Sequence, residues 1–263
     1  MAKIERNINP GIFNDENTFE IKDHMVYKNG KQIPYYPHEK LNGRSEIDVK
    51  FFTYHFTAGR DNFTGTANYL IDKNTKVDIH LLLGSNGELV QMAPLNTKCW
   101  HMGNSSYDGL NHLNNHACGI EVINPGPLEK VSNGVYRSWF GVTYYDPLVA
   151  PSATGVSVEG IEYKPHHIHG GEKKGWIPYT PEQISTLTPL AEAICDHYGA
   201  KFIGHDETTS RKTDPGPLSQ IDKIRDIISG RNDTEEDFRF YEEPAKEKTV
   251  KEKIKNYVEE NQD

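Results

Sequence analysis

The stretch from Ile47 to Gly59 limits the fold more than any other part of the chain. Val49, Phe51, Thr53 and His55 alternate with Lys50, Phe52 and Tyr54, so both faces of an extended segment are largely apolar. A strand of this kind needs cover on both sides, which belongs to the interior of a sheet. It ends in His55, and Phe56-Thr57-Ala58-Gly59 follows as a turn at its C-terminal edge.

The remaining elements supply that cover. Residues 61–73 read as a helix starting near Asp61 and carrying Tyr69, Leu70 and Ile71. Val77–Leu83 and Glu88–Met92 read as strands joined through Gly84-Ser85-Asn86-Gly87, whose Asn-Gly pair is a strong hairpin signal. Ala117–Ile123 is a further strand, closed by Asn124-Pro125-Gly126-Pro127. Thr180-Pro181-Glu182-Gln183 combines an N-cap, proline at the first helical position and a capping-box glutamine. Ile184, Leu187, Leu190, Ala191 and Ile194 then form an apolar stripe that Gly199 ends, with a kink predicted at Pro189. Phe202-Ile203-Gly204 is a short strand running into His205, and Leu218, Ile221, Ile224, Ile227 and Ile228 mark a last core helix before Gly230. The expected fold is α/β: a central mixed sheet flanked by helices, with a functional site at the strand ends.

Three further segments are expected around this core. Residues 1–45 read as an N-terminal extension with one hairpin, and residues 127–178, rich in Gly, Pro, Tyr and His, as a long loop insertion. Residues 46–230 then form the catalytic domain. Residues 231–263 hold 7 Lys/Arg and 11 Asp/Glu and read as a solvated acidic tail. Within it Val250, Ile254, Tyr257 and Val258 fall at helical spacing, which admits a short helix that docks on a protein partner.

A net charge of −9 argues against a nucleic-acid partner, which selects a basic face. No apolar run is long enough for membrane insertion. Met1-Ala2-Lys3-Ile4-Glu5-Arg6 lacks the apolar core of a secretory signal, so synthesis in the cytoplasm is expected. The three cysteines, Cys99, Cys118 and Cys195, form no paired-cysteine motif and read as small buried hydrophobes.

Chemistry concentrates in the histidines and in the segment Gly204–Gly216. If Lys212-Thr213-Asp214 is extended, Lys212 and Asp214 point the same way, converging with His205 at a strand end. His55, ending the apolar strand, supplies a third ligand. Two imidazoles and a carboxylate suit zinc and leave a fourth position open, as catalytic rather than structural zinc requires. His80 reads as a buried structural histidine. Pro165-His166-His167-Ile168-His169 places His167 and His169 on one face, and is expected to be a surface loop.

The segments Tyr54-His55-Phe56-Thr57-Ala58-Gly59, Trp100-His101-Met102-Gly103, Gly119-Ile120-Glu121-Val122, and Gly204-His205 with Lys212-Thr213-Asp214-Pro215-Gly216, occur in that order. Together they resemble the N-acetylmuramoyl-L-alanine amidase family, which includes phage amidase-lysozymes, cell-wall recycling amidases and animal peptidoglycan-recognition proteins. The resemblance implies Zn2+ bound by His55, His205 and Asp214, with Glu121 as general base and Lys212 steadying an oxyanion. Aspartate as third ligand is similar to the recycling enzymes. Where some phage relatives carry a tyrosine before the second-strand histidine, this chain has Ile79 before His80, which favours Glu121 as the base. Trp100 and His101 are expected to line the groove for sugar or stem peptide.

The implied activity is hydrolysis of the amide joining N-acetylmuramic acid to L-alanine in peptidoglycan or muropeptides. The alternatives are a non-catalytic peptidoglycan-binding module on the same fold and a zinc amidase for a different amide. An enzyme of this kind made without a leader would either recycle imported fragments in the cytosol or reach the cell wall by holin-type release or injection. The long insertion and acidic tail favour the second.

Overall fold

A computed structural model describes residues 17–230. Its centre is a five-stranded sheet in the order Lys201–Gly204, Phe51–Phe56, Ala117–Val122, Leu81–Leu83, Leu89–Gln91. The first four strands run parallel and the last is antiparallel, paired to its neighbour through the predicted hairpin. The sheet is therefore mixed, and the His55 strand lies inside it with every residue buried.

Strand alternation divides the core into two sides. Phe52, Tyr54, Cys118, Ile120 and Val122 pack against Ile184, Leu187, Leu190, Ala191 and Ile194 of helix α2 (Pro181–Tyr198). On the opposite face, Ile79, Leu82 and Val90 meet Ala67 and Leu70 of helix α1 (Phe63–Ile71). Phe51, Ala117 and Ile203 on that face pack with Met102 and Leu113. Helix α2 starts as its sequence dictates, with Thr180 Oγ1 accepting from the Gln183 N–H and Gln183 Oε1 accepting from the Thr180 N–H. It runs unbroken across Pro189 and stops where Gly199 turns left-handed at φ 64°. Helix α3 (Ile221–Ile228) packs beside α2 and buries Ile221 and Ile224. Helix α1 begins at Phe63, two residues after Asp61, because the side chain that caps it is Asn62, accepting from the Gly65 N–H.

Two segments hold more structure than the sequence suggested. In the N-terminal extension the expected hairpin forms between Met25–Lys28 and Lys31–Gln32, Phe19–Lys22 adds a third antiparallel strand, and Phe19, Ile21, Val26 and the following Ile33 join the α2-side core. Gln91 ties the meander to the sheet, its Oε1 accepting from the Val26 N–H and its Nε2 donating to the His24 carbonyl. Residues 127–178 are not a structureless loop. They form a four-stranded sheet (Glu129–Ser132, Val135–Arg137, Thr143–Tyr145, Val156–Ser157) and a two-stranded one (Glu162–His166, Gly170–Trp176). Leu128, Tyr136, Tyr144 and Ile161 give them a small core of their own. The tail at 231–263, with its proposed helix, lies outside the described residues. Among the described residues, no helix is long and apolar enough to cross a membrane.

Candidate metal centre

Three neighbouring parallel strands end on the same edge of the sheet and carry the site there. His55 is the fifth residue of its strand, Glu121 is its register partner on the adjacent strand, and His205 follows Gly204 on the other side. Because the register pairs His55 with Glu121, both side chains emerge side by side on the face away from α2. Cys118 and Ile120 point the other way into the core, so no cysteine reaches the site from this strand.

His55 Nδ1 lies 3.0 Å from His205 Nδ1, and each nitrogen lies 2.8 Å from Asp214 Oδ2. The outer hydrogen bonds fix which nitrogens carry hydrogen. The Ala117 carbonyl can only accept, so His101 Nε2 donates to it (3.1 Å) and His101 Nδ1 is left as an acceptor. His55 Nε2–H then donates to His101 Nδ1 at 3.0 Å, leaving the His55 Nδ1 lone pair facing inward. His205 Nε2–H donates to the Met102 carbonyl at 3.2 Å, with the same result for its Nδ1. Two lone pairs and a carboxylate oxygen thus converge on one buried point. A cation there satisfies all three, and the donor set of two imidazoles and one carboxylate fits zinc.

The protonation tendencies agree. Burial, with the His205 charge next, holds His55 down at about 4, so it is neutral at pH 7 and free to ligate. Burial pushes the Asp214 carboxyl upward, but the close approach of His205 and His55 outweighs it and holds the group well below the usual carboxylate range. Glu121 goes the opposite way. Burial, reinforced by the Asp214 charge and opposed by Lys212, raises its pKa well above the usual value. Its Oε2 is buried with no hydrogen-bond partner, beside the converging ligands. A dication held by those ligands would act against the upward shift and keep Glu121 an acceptor. A cleft of about 320 Å³ reaches this point, and Glu121, Lys212, His101, Ala58 and Asp78 are among its walls.

Residues 45–217 match the N-acetylmuramoyl-L-alanine amidase family. The chain belongs to that family. Among curated amidases it is 28% identical over 181 residues to AmiD of Escherichia coli, covering 65% of this chain and 50% of that protein. It is 37% identical over 181 residues to the 1,6-anhydro-N-acetylmuramyl-L-alanine amidase AmpD of Citrobacter freundii, covering 64% of this chain and 68% of that one. The chain thus spans about half the length of AmiD and two thirds of this AmpD. A solved AmpD structure shares the fold with a TM-score of 0.50 at 18% identity, covering 79% of this chain and 98% of that one.

Against the sequence motifs of this amidase family, the structure brings His55, His205, Asp214, Glu121, Lys212 and His101 to one cleft. His101 does more than line it, since its ring fixes the His55 tautomer. Trp100 stands beside the cleft rather than in its wall. Its N–H donates to Asp78, which does line the wall, and Lys98 and Arg44 lie over its ring. Gly119 makes room for the His101 ring: a Cβ there would lie 2.7 Å from His101 Cε1 and 2.9 Å from Ile79 Cδ1. Gly119→Ala is therefore expected to displace His101 and weaken metal binding by roughly 10–100-fold, as loss of an outer hydrogen bond to a ligand does. Competition titration with a chromogenic chelator measures this, and unchanged affinity contradicts it.

His80 is structural, as its sequence position suggested. Its Nε2–H donates to the Thr97 carbonyl at 2.7 Å, and its Nδ1 accepts from the Gly119 N–H at 3.1 Å. Burial holds its pKa down at about 4, against 6.5 for a free histidine. Between those values the unfolded chain binds a proton that folded His80 refuses, so stability falls as pH falls from 6.5 towards 4. The loss for this group is on the order of 3 kcal/mol. Urea unfolding of the metal-free wild type and of His80→Gln between pH 7 and 4 isolates this share, and an equal pH dependence in the two proteins contradicts it.

The inserted segment, with Tyr179 just after it, supplies what sequence reasoning missed. His166 Nε2–H donates to the Thr213 carbonyl at 3.2 Å, Tyr179 OH donates to the Pro215 carbonyl at 2.8 Å, and the Trp176 ring lies against Gly216. These contacts brace the loop that presents Lys212 and Asp214. The ligating atoms of His166, His167 and Asp206 also lie within 4.8 Å of one another. However, His166 Nδ1 accepts from the N–H groups of Ile168 and His169, so its Nε2 carries the hydrogen and has no lone pair for a metal. His169 stands outside that group and stacks on the His166 ring.

Proposed function

We propose that the chain hydrolyses the amide between N-acetylmuramic acid and L-alanine, in peptidoglycan or in muropeptides released from it, with zinc held by His55, His205 and Asp214. The observation that carries this is the convergence of the two Nδ1 lone pairs with Asp214 Oδ2 beside the unpartnered Glu121 Oε2. Family membership supports the substrate class. Zinc in that position supplies a Lewis acid and an acidified water at neutral pH.

The chain's own groups do the rest. Glu121 takes a proton from the attacking water and returns it to the nitrogen of L-alanine as the amide bond breaks. Lys212, exposed at the cleft wall, places its ammonium against the oxyanion that develops on the carbonyl oxygen. His101 and the Met102 carbonyl keep both ligating rings oriented throughout. The products are a free muramyl carboxylate and a stem peptide with a free amino terminus.

Retention of all three ligands favours this reading over a non-catalytic binding module. The test is turnover of a purified muropeptide by protein stripped with a chelator and then reloaded with one equivalent of zinc. Activity lost on stripping and regained on reloading is expected; activity that survives stripping overturns the proposal.

A further inference from the structure

Within the inserted sheet, the strands Val135–Arg137 and Thr143–Tyr145 pair antiparallel, and the tip between them docks on the turn that leaves the His55 strand. Ser138 N–H donates to the Val142 carbonyl and closes the tip. Trp139 Nε1–H donates to the Ala58 carbonyl at 2.7 Å. Arg60 donates to the Phe140 carbonyl at 3.0 Å and lies over the Phe140 ring, 5.2 Å from its centroid. The Phe140 ring meets Trp139 edge-on, with centroids 5.6 Å apart.

The tryptophan is thus held at its polar end and from one side, yet it is 77% exposed. Tryptophan normally contributes its large apolar surface to a core or an interface, and an indole fixed in place but left bare is a surface prepared for a partner. Its location narrows the partner. The carbonyl that holds it belongs to Ala58, which together with Thr57 lines the wall of the cleft that holds Glu121 and Lys212. Whatever fills that cleft and extends past Ala58 therefore meets the indole.

We propose that Trp139 is a stacking platform for the glycan strand, receiving a pyranose ring beyond the muramic acid that bears the scissile amide. This rests on the amidase reading above for the identity of the cleaved bond. The chemistry fits a sugar. The flat indole face is electron-rich and attracts the C–H bonds on one face of a pyranose. Its rim presents the Arg60 guanidinium, a donor for hydroxyl and N-acetyl oxygens. The insertion then has two jobs: one part braces the Asp214 loop and another extends the cleft.

Two measurements test this, one of which needs no turnover. A peptide-free β-1,4-linked tetramer of N-acetylglucosamine is titrated into the wild type, Trp139→Ala and Trp139→Phe, following tryptophan fluorescence and heat of binding. The wild type is expected to bind, Trp139→Ala to bind roughly tenfold more weakly, and Trp139→Phe to fall between them because an aromatic face remains. No binding by the wild type, or equal binding by all three, overturns the proposal even if the amidase reading holds. The second measurement compares kcat/KM for a single-sugar muropeptide with that for a substrate whose glycan extends three sugars further. Trp139→Ala is expected to lower the ratio of long to short substrate about tenfold. An equal loss on both substrates would assign the ring to the stem peptide or to the shape of the cleft, and would overturn a glycan platform. Melting temperature and zinc content of the variants separate these outcomes from misfolding.

Discussion

Glu121→Gln is expected to lower kcat by about 10²–10⁴, the usual contribution of a positioned acid–base group, with zinc content unchanged. Glutamine keeps the size and shape of the side chain and removes only its capacity to take a proton. Little structural loss should accompany the change, because Glu121 Oε2 has no hydrogen-bond partner to give up. Zinc should stay because the three converging ligand atoms belong to His55, His205 and Asp214. The pH–rate profile is the second readout. The wild type should lose activity on the acid side as Glu121 protonates, at a pH that burial raises and a bound cation lowers. A Glu121→Gln protein that turns over muropeptide at a near-normal rate would remove this residue as the base.

Asp214→Asn acts on the metal itself. The substitution replaces the one anionic ligand with a neutral amide while the two histidines remain. An effect larger than the roughly 10–100-fold cost of losing an outer partner is expected, so the variant should retain little zinc after dialysis. Thermal unfolding shows the same loss. At zinc about a thousandfold above its dissociation constant, binding contributes roughly 4 kcal/mol to the wild type, which at this chain length raises Tm by about 10 °C. The variant should show almost none of that rise. A zinc-dependent Tm shift that survives Asp214→Asn would mean that the metal sits elsewhere.

Much of the site was legible because its residues lie at the ends of strands that announce themselves. The apolar run into His55 needs burial on both faces, so it could only be central, and its last polar residue had to emerge at an edge. The alternation Cys118, Ile120 against Glu121 similarly separated core from cleft. The role of His101 was not legible, because it depends on two hydrogen bonds to residues 46 and 16 positions away. Such contacts arise from sheet register and leave no local pattern.

The insertion was hidden for a different reason. Its strands are two to seven residues long, and Glu129–Ser132 is exposed at every position, so no period of two develops. The N-terminal meander did carry a signal. Phe19 and Ile21 alternate with Glu20 and Lys22, but the turn that follows is Asp23-His24, both at positive φ, rather than the glycine-containing pair that marks most tight hairpins. His166, Trp176 and Tyr179 gained their importance only once the insertion folded against the Asp214 loop.

The central claim concerns which bond is broken, and product analysis in water enriched in heavy oxygen tests it most directly. A muropeptide of defined sequence is incubated with the zinc-loaded protein, and the products are weighed by mass spectrometry. Hydrolysis at the muramyl amide should release an unlabelled stem peptide beginning with L-alanine, and should place one heavy oxygen in the muramic acid carboxylate. Heavy oxygen in the peptide, or an intact muropeptide after prolonged incubation with zinc bound, would contradict it.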